Sequence, residues 1–454
     1  AQRREVVNLI FLEAYSPPQR SEYQIPEPTM GHSATSGREN MSKKVKVLAA
    51  LGAASVALGV VISTAAQGAQ TLVVSSDLPL QGGSKDQSES TNNVIKLVLK
   101  QAGNKAGKYN LQFKSYDDST AAKGAWDDAQ CAANAQAHVA NRNEVAVMGT
   151  YNSGCAKIIV PVLNQDPKGP MLMISNANTN PGLTKPWNPG EPEKYYPTGK
   201  RNYFRVVTTD DYQGSAAAQF AKEKLGVKKV YVLNDRQTYG QGVATAFTTE
   251  AKKIGLTVLS DGAAGEGWDD KQPNYEALFT KIKALGPDMI YIGGIYDLNG
   301  GQLVKDKVKI LGDNTKVKMM APDGFTGYPD FLALPESDGT YLSFTGLSID
   351  LFPKDGAAAK FLADYKKTYK KDPTSSFSVY GGAAMQAIMD AISRSNGTRA
   401  DIFKKASSIN IPASKSVVGK AIKFDKNGDT VNHDITILIV KNKEETTLQL
   451  WAVK

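Results

Sequence analysis

Between Val145 and Thr184 the chain reads VAVMGTYNSGCAKIIVPVLNQDPKGPMLMISNANTNPGLT: two short apolar runs, each ending in small hydroxyl and amide residues. VAVM and MLMI are too short for helices. Ala156 to Gln165 between them suits a crossover helix, so the stretch predicts a βαβ unit with two parallel strands. Loops at the carboxyl ends of parallel strands face a common crevice. There Ser153 and Thr179 would meet, with the N–H groups of the following helix start free to hold an anion. The same residue types are also ordinary helix caps, which need no ligand.

Other constellations that suggest chemistry fail on their own terms. GTYNSGC places Tyr151 and Cys155 where the sharp turn around a nucleophilic serine needs glycine, so Ser153 is not expected to attack. Of the three histidines, only His138 and His433 lie beyond the leader, and neither sits beside a strand-end loop. His138 reads as a solvated helix-end residue rather than a metal ligand. YGQGVAT offers Gly240 and Gly242, but Thr245 stands where a dinucleotide fingerprint wants a third small residue. DKNGD has too few ligands for a calcium loop and is sufficiently explained as a turn. No catalytic residue, metal or cofactor is expected. The two cysteines, Cys131 and Cys155, fall in the exported part and are expected to form one disulfide. It would tie a helix over Thr120 to Val139 to the loop carrying Ser153.

These residues need a scaffold, and the 454-residue chain, 41% hydrophobic and 22% charged, is globular and long enough for two domains. Residues 1–40 lack a clear period, carry Pro17, Pro18, Pro26 and Pro28, and are expected to be a disordered leader. From Met41, Lys43, Lys44 and Lys46 precede the apolar run Val47 to Ile62, and small residues follow, which is the order of an export signal over 41–69. Cleavage is expected between Ala66 and Ala69, giving a periplasmic or extracellular protein. No Cys near that region offers a lipid attachment point. The net charge of +9 includes +2 from the leader, which has seven basic and five acidic residues, leaving +7. The lysines are scattered without interleaved aromatics, so no nucleic-acid partner is expected.

TLVVSSDLPLQGG, the helical TNNVIKLVLKQAG, LQFKSYDDS and AAKGAWDDAQCAANAQAHV give β-α-β-α order ahead of the opening stretch, the pattern of one doubly wound lobe. A Pro-rich loop, KPWNPGEPEKYYPTGKRN, follows and is expected at the rim of a cleft. The alternation then resumes through KVYVLN, LTVLS, MIYIGG and KMMA as a second lobe. Three helical segments come next, and AIKFDKNGDTVNHDITILIVKN predicts a hairpin turning at Asn427-Gly428.

With LPLQGG, YDDS, VMGTYNSG, GPMLMISNANTNPGLT, DDYQG, DRQTYGQG, YIGGIYDLNGGQL, APDGF and YKKTYKKDP in this order, the region from Thr71 to Lys454 resembles the periplasmic solute-binding proteins of the leucine/isoleucine/valine and amide type. These deliver ligand to ABC transporters. The resemblance implies an α/β fold of two doubly wound lobes joined by a three-segment hinge, the type I periplasmic binding protein. Lobe 1 would comprise 71–207 and 349–416, and lobe 2 would comprise 208–348 and 417–454, with crossings near Val207, Ser348 and Val417.

The resemblance also implies a small polar ligand, most readily a branched-chain or other amino acid, with an amide or urea as the alternative. Ser153 matches the serine that meets the ligand carboxylate. Ala177 and Thr179 match the pair offering a carbonyl to the ammonium and a hydroxyl plus N–H to the carboxylate. Asp323 stands where amino-acid binders commonly have Glu and would face the ammonium. Tyr239 and Tyr296 match aromatic positions that close over the ligand, although Ile295 takes the place of Tyr296 in a shifted alignment. The expected partners are the ligand and the permease subunits, with the protein itself a monomer. An exported hydrolase and a sensory ligand-binding domain are the competing classes. The first lacks an activated nucleophile, and the second would need a membrane segment or signalling partner.

Overall fold

The computed structural model describes residues 69–454; the expected leader and export signal lie outside the described residues. Two sheets organise the chain. The first runs in the order Lys105–Ala106, Tyr109–Asp117, Thr71–Leu78, Glu144–Gly149, Leu172–Ser175, Tyr203–Arg205, all parallel except the short first strand. The second runs Thr257–Val258, Lys229–Asn234, Met289–Gly293, Lys318–Ala321, Tyr341–Phe344, Ile435–Lys441, Glu444–Trp451, with Glu266–Gly267 also paired to Lys229–Asn234. Its last two strands are antiparallel. Every residue of Glu144–Gly149, Leu172–Ser175 and Met289–Gly293 is buried. That is why these strands read as continuous apolar runs rather than alternating ones: parallel strands are covered by helices on both faces. Helix Ser376–Ser393 packs on helix Lys85–Gln101 and on the first sheet, so the chain returns to the first lobe after building most of the second.

Several elements differ from expectation for identifiable reasons. The helix expected from Thr120 begins at Asp128; Ser119–Thr120 and Ala125–Trp126 instead form a small hairpin. Asp127 fixes the helix start by accepting N–H bonds from Ala129 and Gln130 at 2.8 and 3.3 Å. The crossover helix starts earlier than Ala156 and spans Ser153–Asn164. Cys131 and Cys155 form the disulfide, Cα atoms 5.6 Å apart, which therefore joins two helices rather than a helix and a loop. The Pro-rich loop folds back onto helix Ser153–Asn164, where Lys157 pairs with Glu191 at 2.8 Å and Tyr195 and Tyr196 are buried.

At the carboxyl end the Asp425–Asp429 turn exists, bridged by Phe424 and Thr430, but it does not join the final strands. The hairpin there turns at Asn442 and Lys443, both at positive φ, the backbone of a two-residue turn. Ile422–Lys423 pairs with Asn410–Ile411, and Gly428 accepts from the N–H of Arg205 at 3.0 Å. The chain thus reaches the second sheet only at Ile435, well beyond Val417.

His138 is not solvated. It is fully buried, with Nε2 3.0 Å from Asp77 and Nδ1 2.5 Å from Glu144. Burial alone would lower its pKa, but the bonds to both carboxylates raise it to about 9. Glu144, which burial would raise, is held below the ordinary carboxylate range by His138, Ser75 and Tyr116. Helix amphipathicity concealed this: the residue faces inward because two carboxylates on the neighbouring strands complete it.

Candidate functional site

The crevice at the carboxyl ends of the strands is closed over by the second lobe, leaving a small cavity of about 20 Å³ between them. That is room for about one water molecule, so the lobes are nearly shut on each other. Tyr151, Asn152, Ser153, Ala177 and Phe377 line it from the first lobe, and Tyr239, Ile295, Asp323 and Gly324 from the second.

The first-lobe wall is built from backbone and amide groups. Ser153 is the first residue of helix Ser153–Asn164, and Asn152 before it makes no side-chain cap bond; its Oδ1 is buried without a partner. A helix start left uncapped at a cavity presents free N–H groups, which suit an anion. The facing loop is fixed from several sides. Ser175 Oγ donates to the Thr150 carbonyl at 2.9 Å and accepts the N–H groups of Ala177 and Asn178 at 3.1 and 2.8 Å. Tyr203 OH donates to Asn178 Oδ1 at 3.1 Å, and Arg205 donates to the carbonyls of Asn178 and Asn180 at 3.1 and 2.9 Å. Ser153 Oγ accepts from the N–H of Asn180 at 3.3 Å, joining the two strand ends as the sequence pattern suggested. Thr179 lies in this loop, fully buried with Oγ1 unpartnered, but is not on the cavity wall.

The second-lobe wall carries the charge. Asp323 Oδ1 accepts from Tyr239 OH at 2.5 Å and Oδ2 from Thr345 Oγ1 at 2.6 Å, and Gly324 N–H donates to the same tyrosine oxygen at 3.0 Å. A Cβ on Gly324 would stand 2.4 Å from the Gly294 carbonyl, so only glycine lets this turn approach so closely. Burial raises Asp323 to about 6 against the two hydroxyls, which pull the other way. Among the described residues no cationic side chain lines the cavity.

Tyr296 stands elsewhere, in an aromatic cluster with Phe325, Tyr328 and Phe331, ring centroids 5.2 to 5.9 Å away; Ile295 occupies the cavity wall. Sequence reasoning missed Tyr151, Asn152 and Phe377. The first two adjoin Ser153 and share its signal. Phe377 belongs to a helix distant in sequence, whose approach depends on the chain's return to the first lobe.

The lobes meet around the cavity. Asn180 Nδ2 donates to the Thr238 carbonyl at 2.9 Å, Gln87 Nε2 to that of Thr326 at 3.0 Å, and Lys185 pairs with Asp211 at 2.8 Å. Ser84 bonds Asp297 and lies 3.0 Å from Tyr328 OH.

A model of the family described as periplasmic binding protein matches residues 71–445. An amino acid binding protein from Pseudomonas aeruginosa is 27% identical over 322 residues, 68% of this chain and 76% of the relative. Among solved structures, the leucine binding protein LivK from Thermotoga maritima superposes with a TM-score of 0.70 at 22% identity, covering 84% of this chain and 98% of that one. A solute binding protein of an ABC transporter from R. palustris, in complex with benzoate, gives 0.66 at 18% identity, covering 84% and 96%.

Proposed function

The chain belongs to the periplasmic binding protein family, and from that premise we propose that it captures a small amino acid between its lobes for an ABC transporter. It is a solute-binding protein and not an enzyme. The ligand carboxylate would meet Ser153 together with the uncapped start of helix Ser153–Asn164, with Thr179 behind the wall, and the ammonium would meet Asp323 and the Ala177 carbonyl. Tyr239 orients Asp323, and Ile295, Phe377 and Tyr151 would surround the side chain; Tyr296 takes no part. The observation that carries the reading is the polarity of one small cavity, with anion-seeking N–H groups on one lobe and a buried carboxylate on the other.

Closure follows from the same geometry. A zwitterion bridging the two walls binds the shut form better than the open one, and only that difference drives closure. The permease would read the closed shape, the carrier would act as a monomer, and residues 41–69 would be removed on export. Among the described residues no helix is long and apolar enough to cross a membrane.

The benzoate complex and the aromatic wall favour a second reading, an aromatic acid. Such a ligand has no ammonium to answer Asp323, whose charge would face it in a site with no cation. Thermal-shift screening of the refolded, ligand-free protein against amino acids, amides, urea and benzoates decides the class: stabilisation by amino acids alone supports the proposal, and stabilisation by benzoates alone overturns it.

A further inference from the structure

Ile295 and Tyr296 are neighbours in the chain, yet Ile295 lines the cavity while Tyr296 packs with Phe325, Tyr328 and Phe331. The turn that separates them follows strand Met289–Gly293, and its two N–H groups are bound by different partners. Tyr296 N–H donates to the Gly324 carbonyl at 2.9 Å, and Ile295 N–H donates to Oδ2 of Asp235 at 3.1 Å. The first bond is backbone to backbone. The second depends on one side chain.

Asp235 follows the adjacent strand, Lys229–Asn234, whose last residue is in register with Gly293. Its N–H donates to the Gly293 carbonyl at 3.0 Å, and its Oδ1 accepts from the N–H of Gln237 at 2.8 Å. The residue is only 3% exposed, so both carboxylate oxygens are committed to backbone donors rather than to water. The fit is close. A Cβ on Gly240 would collide with Oδ1, and one on Gly294 would stand 2.8 Å from Oδ2, so the carboxylate lies between the two loops only because both positions are glycine. Asp235 is not itself on the cavity wall, but the two loops it joins carry Tyr239 and Ile295, which are. A Cβ on Gly324 would stand 2.8 Å from Tyr239 Cε1 and 2.9 Å from Ile295 Cγ2, which places the three wall residues side by side.

We infer that Asp235 is a positioning residue that sets the ligand's side-chain preference: its carboxylate pins the turn so that the aliphatic group of Ile295, and not the phenol of Tyr296, faces the ligand. A buried N–H that loses its acceptor must find another, and rotating the peptide to do so swings Ile295 off the wall. The wall then lacks the apolar contact that favours a branched aliphatic ligand over a small one. The preference rests on the proposed amino-acid reading, but the pinning of the turn does not.

Two measurements at pH 8 separate them, a pH chosen because burial raises the Asp235 carboxyl to about 7 against its two N–H bonds. Hydrogen exchange, followed residue by residue by NMR in the ligand-free protein, should be at least about tenfold faster at Ile295 in Asp235→Ala than in wild type, with strand Met289–Gly293 unchanged. An unchanged rate at Ile295, or an equal rise along the whole strand, overturns the inference. Titration calorimetry with L-leucine and L-alanine should find the preference for leucine reduced at least about fourfold in Asp235→Ala and likewise in Ile295→Ala, the effect of one buried methylene. The double variant should show no further reduction, because Asp235 acts through Ile295. Reductions that multiply in the double variant, or an unchanged preference in Asp235→Ala, overturn the role. If Asp235→Ala does not fold, Asp235→Asn, which sets an amide N–H against one of the two backbone donors, is read in the same way. If wild type binds neither amino acid, the functional proposal and the preference fall together, while the exchange rates still decide the pinning of the turn.

Discussion

Two regions of the first and second lobes bury carboxylates, and they do so in opposite ways. Behind the first sheet, Asp77 and Glu144 close on His138, with Ser75, Tyr116 and Asn134 supplying further bonds, so the charge is complete within the chain. At the cleft, Asp323 has two hydroxyls and, among the described residues, no cation, and the Asp210 carboxyl has no hydrogen-bond partner among them. A paired buried charge supports the fold, whereas an unpaired one is a cost held in readiness for something that arrives from outside. The sharpest way to break this contrast is to remove one group from each region.

The largest effect is expected from His138→Leu, which strands two buried carboxylates. Loss of a partner from a buried pair costs about 3–5 kcal/mol. Urea unfolding should show that loss, while ligand affinity of the folded fraction stays unchanged. The wild-type pH profile should agree in sign. The pKa of His138 rises from 6.5 to about 9 on folding, so its contribution is full below 6.5 and is lost as pH rises through 9. A midpoint that rises between pH 7 and 9 would contradict the assignment.

Next comes the disulfide, which lies beneath the same wall. With Cys131 and Cys155 separated by 24 positions in sequence, replacing both by Ala should cost about 3 kcal/mol. Calorimetry should show that loss with the affinity retained, since the cavity is lined by neither cysteine.

The smallest stability effect should have the opposite sign. Asp323 is raised from 3.8 to about 6, so above pH 6 its charge penalises the empty protein. Asp323→Asn should stabilise the ligand-free form by up to about 2 kcal/mol at pH 7 and by less as pH falls below 6. Destabilisation instead would place Asp323 in the same class as His138.

How far the sequence disclosed this contrast depends on range. The strands were legible because parallel strands buried on both faces leave uninterrupted apolar runs, as in VAVM and MLMI. The order of weak motifs was legible too, and with it the family. The cysteine pairing followed from compartment and count. His138 and Asp210 were not legible, because nothing local distinguishes a buried charged residue at a helix end from a solvated one; the carboxylates that complete His138 come from other strands. Tyr296 and Ile295 are adjacent, and only the turn's direction decides which faces the cavity. The carboxyl-terminal hairpin was misplaced because Asn427-Gly428 is the stronger turn signal, while Asn442-Lys443 does the joining.

The central claim is that Ser153 and Asp323 grip opposite ends of one ligand, and isothermal titration of an amino acid into Ser153→Ala and Asp323→Asn at pH 7.5 tests it most directly. A hydrogen bond to a charged group contributes about 1.5–3 kcal/mol, so Ser153→Ala should bind roughly ten- to a hundredfold more weakly. Asp323→Asn should lose at least as much, because it leaves the ammonium unpaired in a closed cleft. Near-wild-type affinity in Ser153→Ala would contradict the site, and near-wild-type affinity in Asp323→Asn alone would replace the amino acid by a neutral amide.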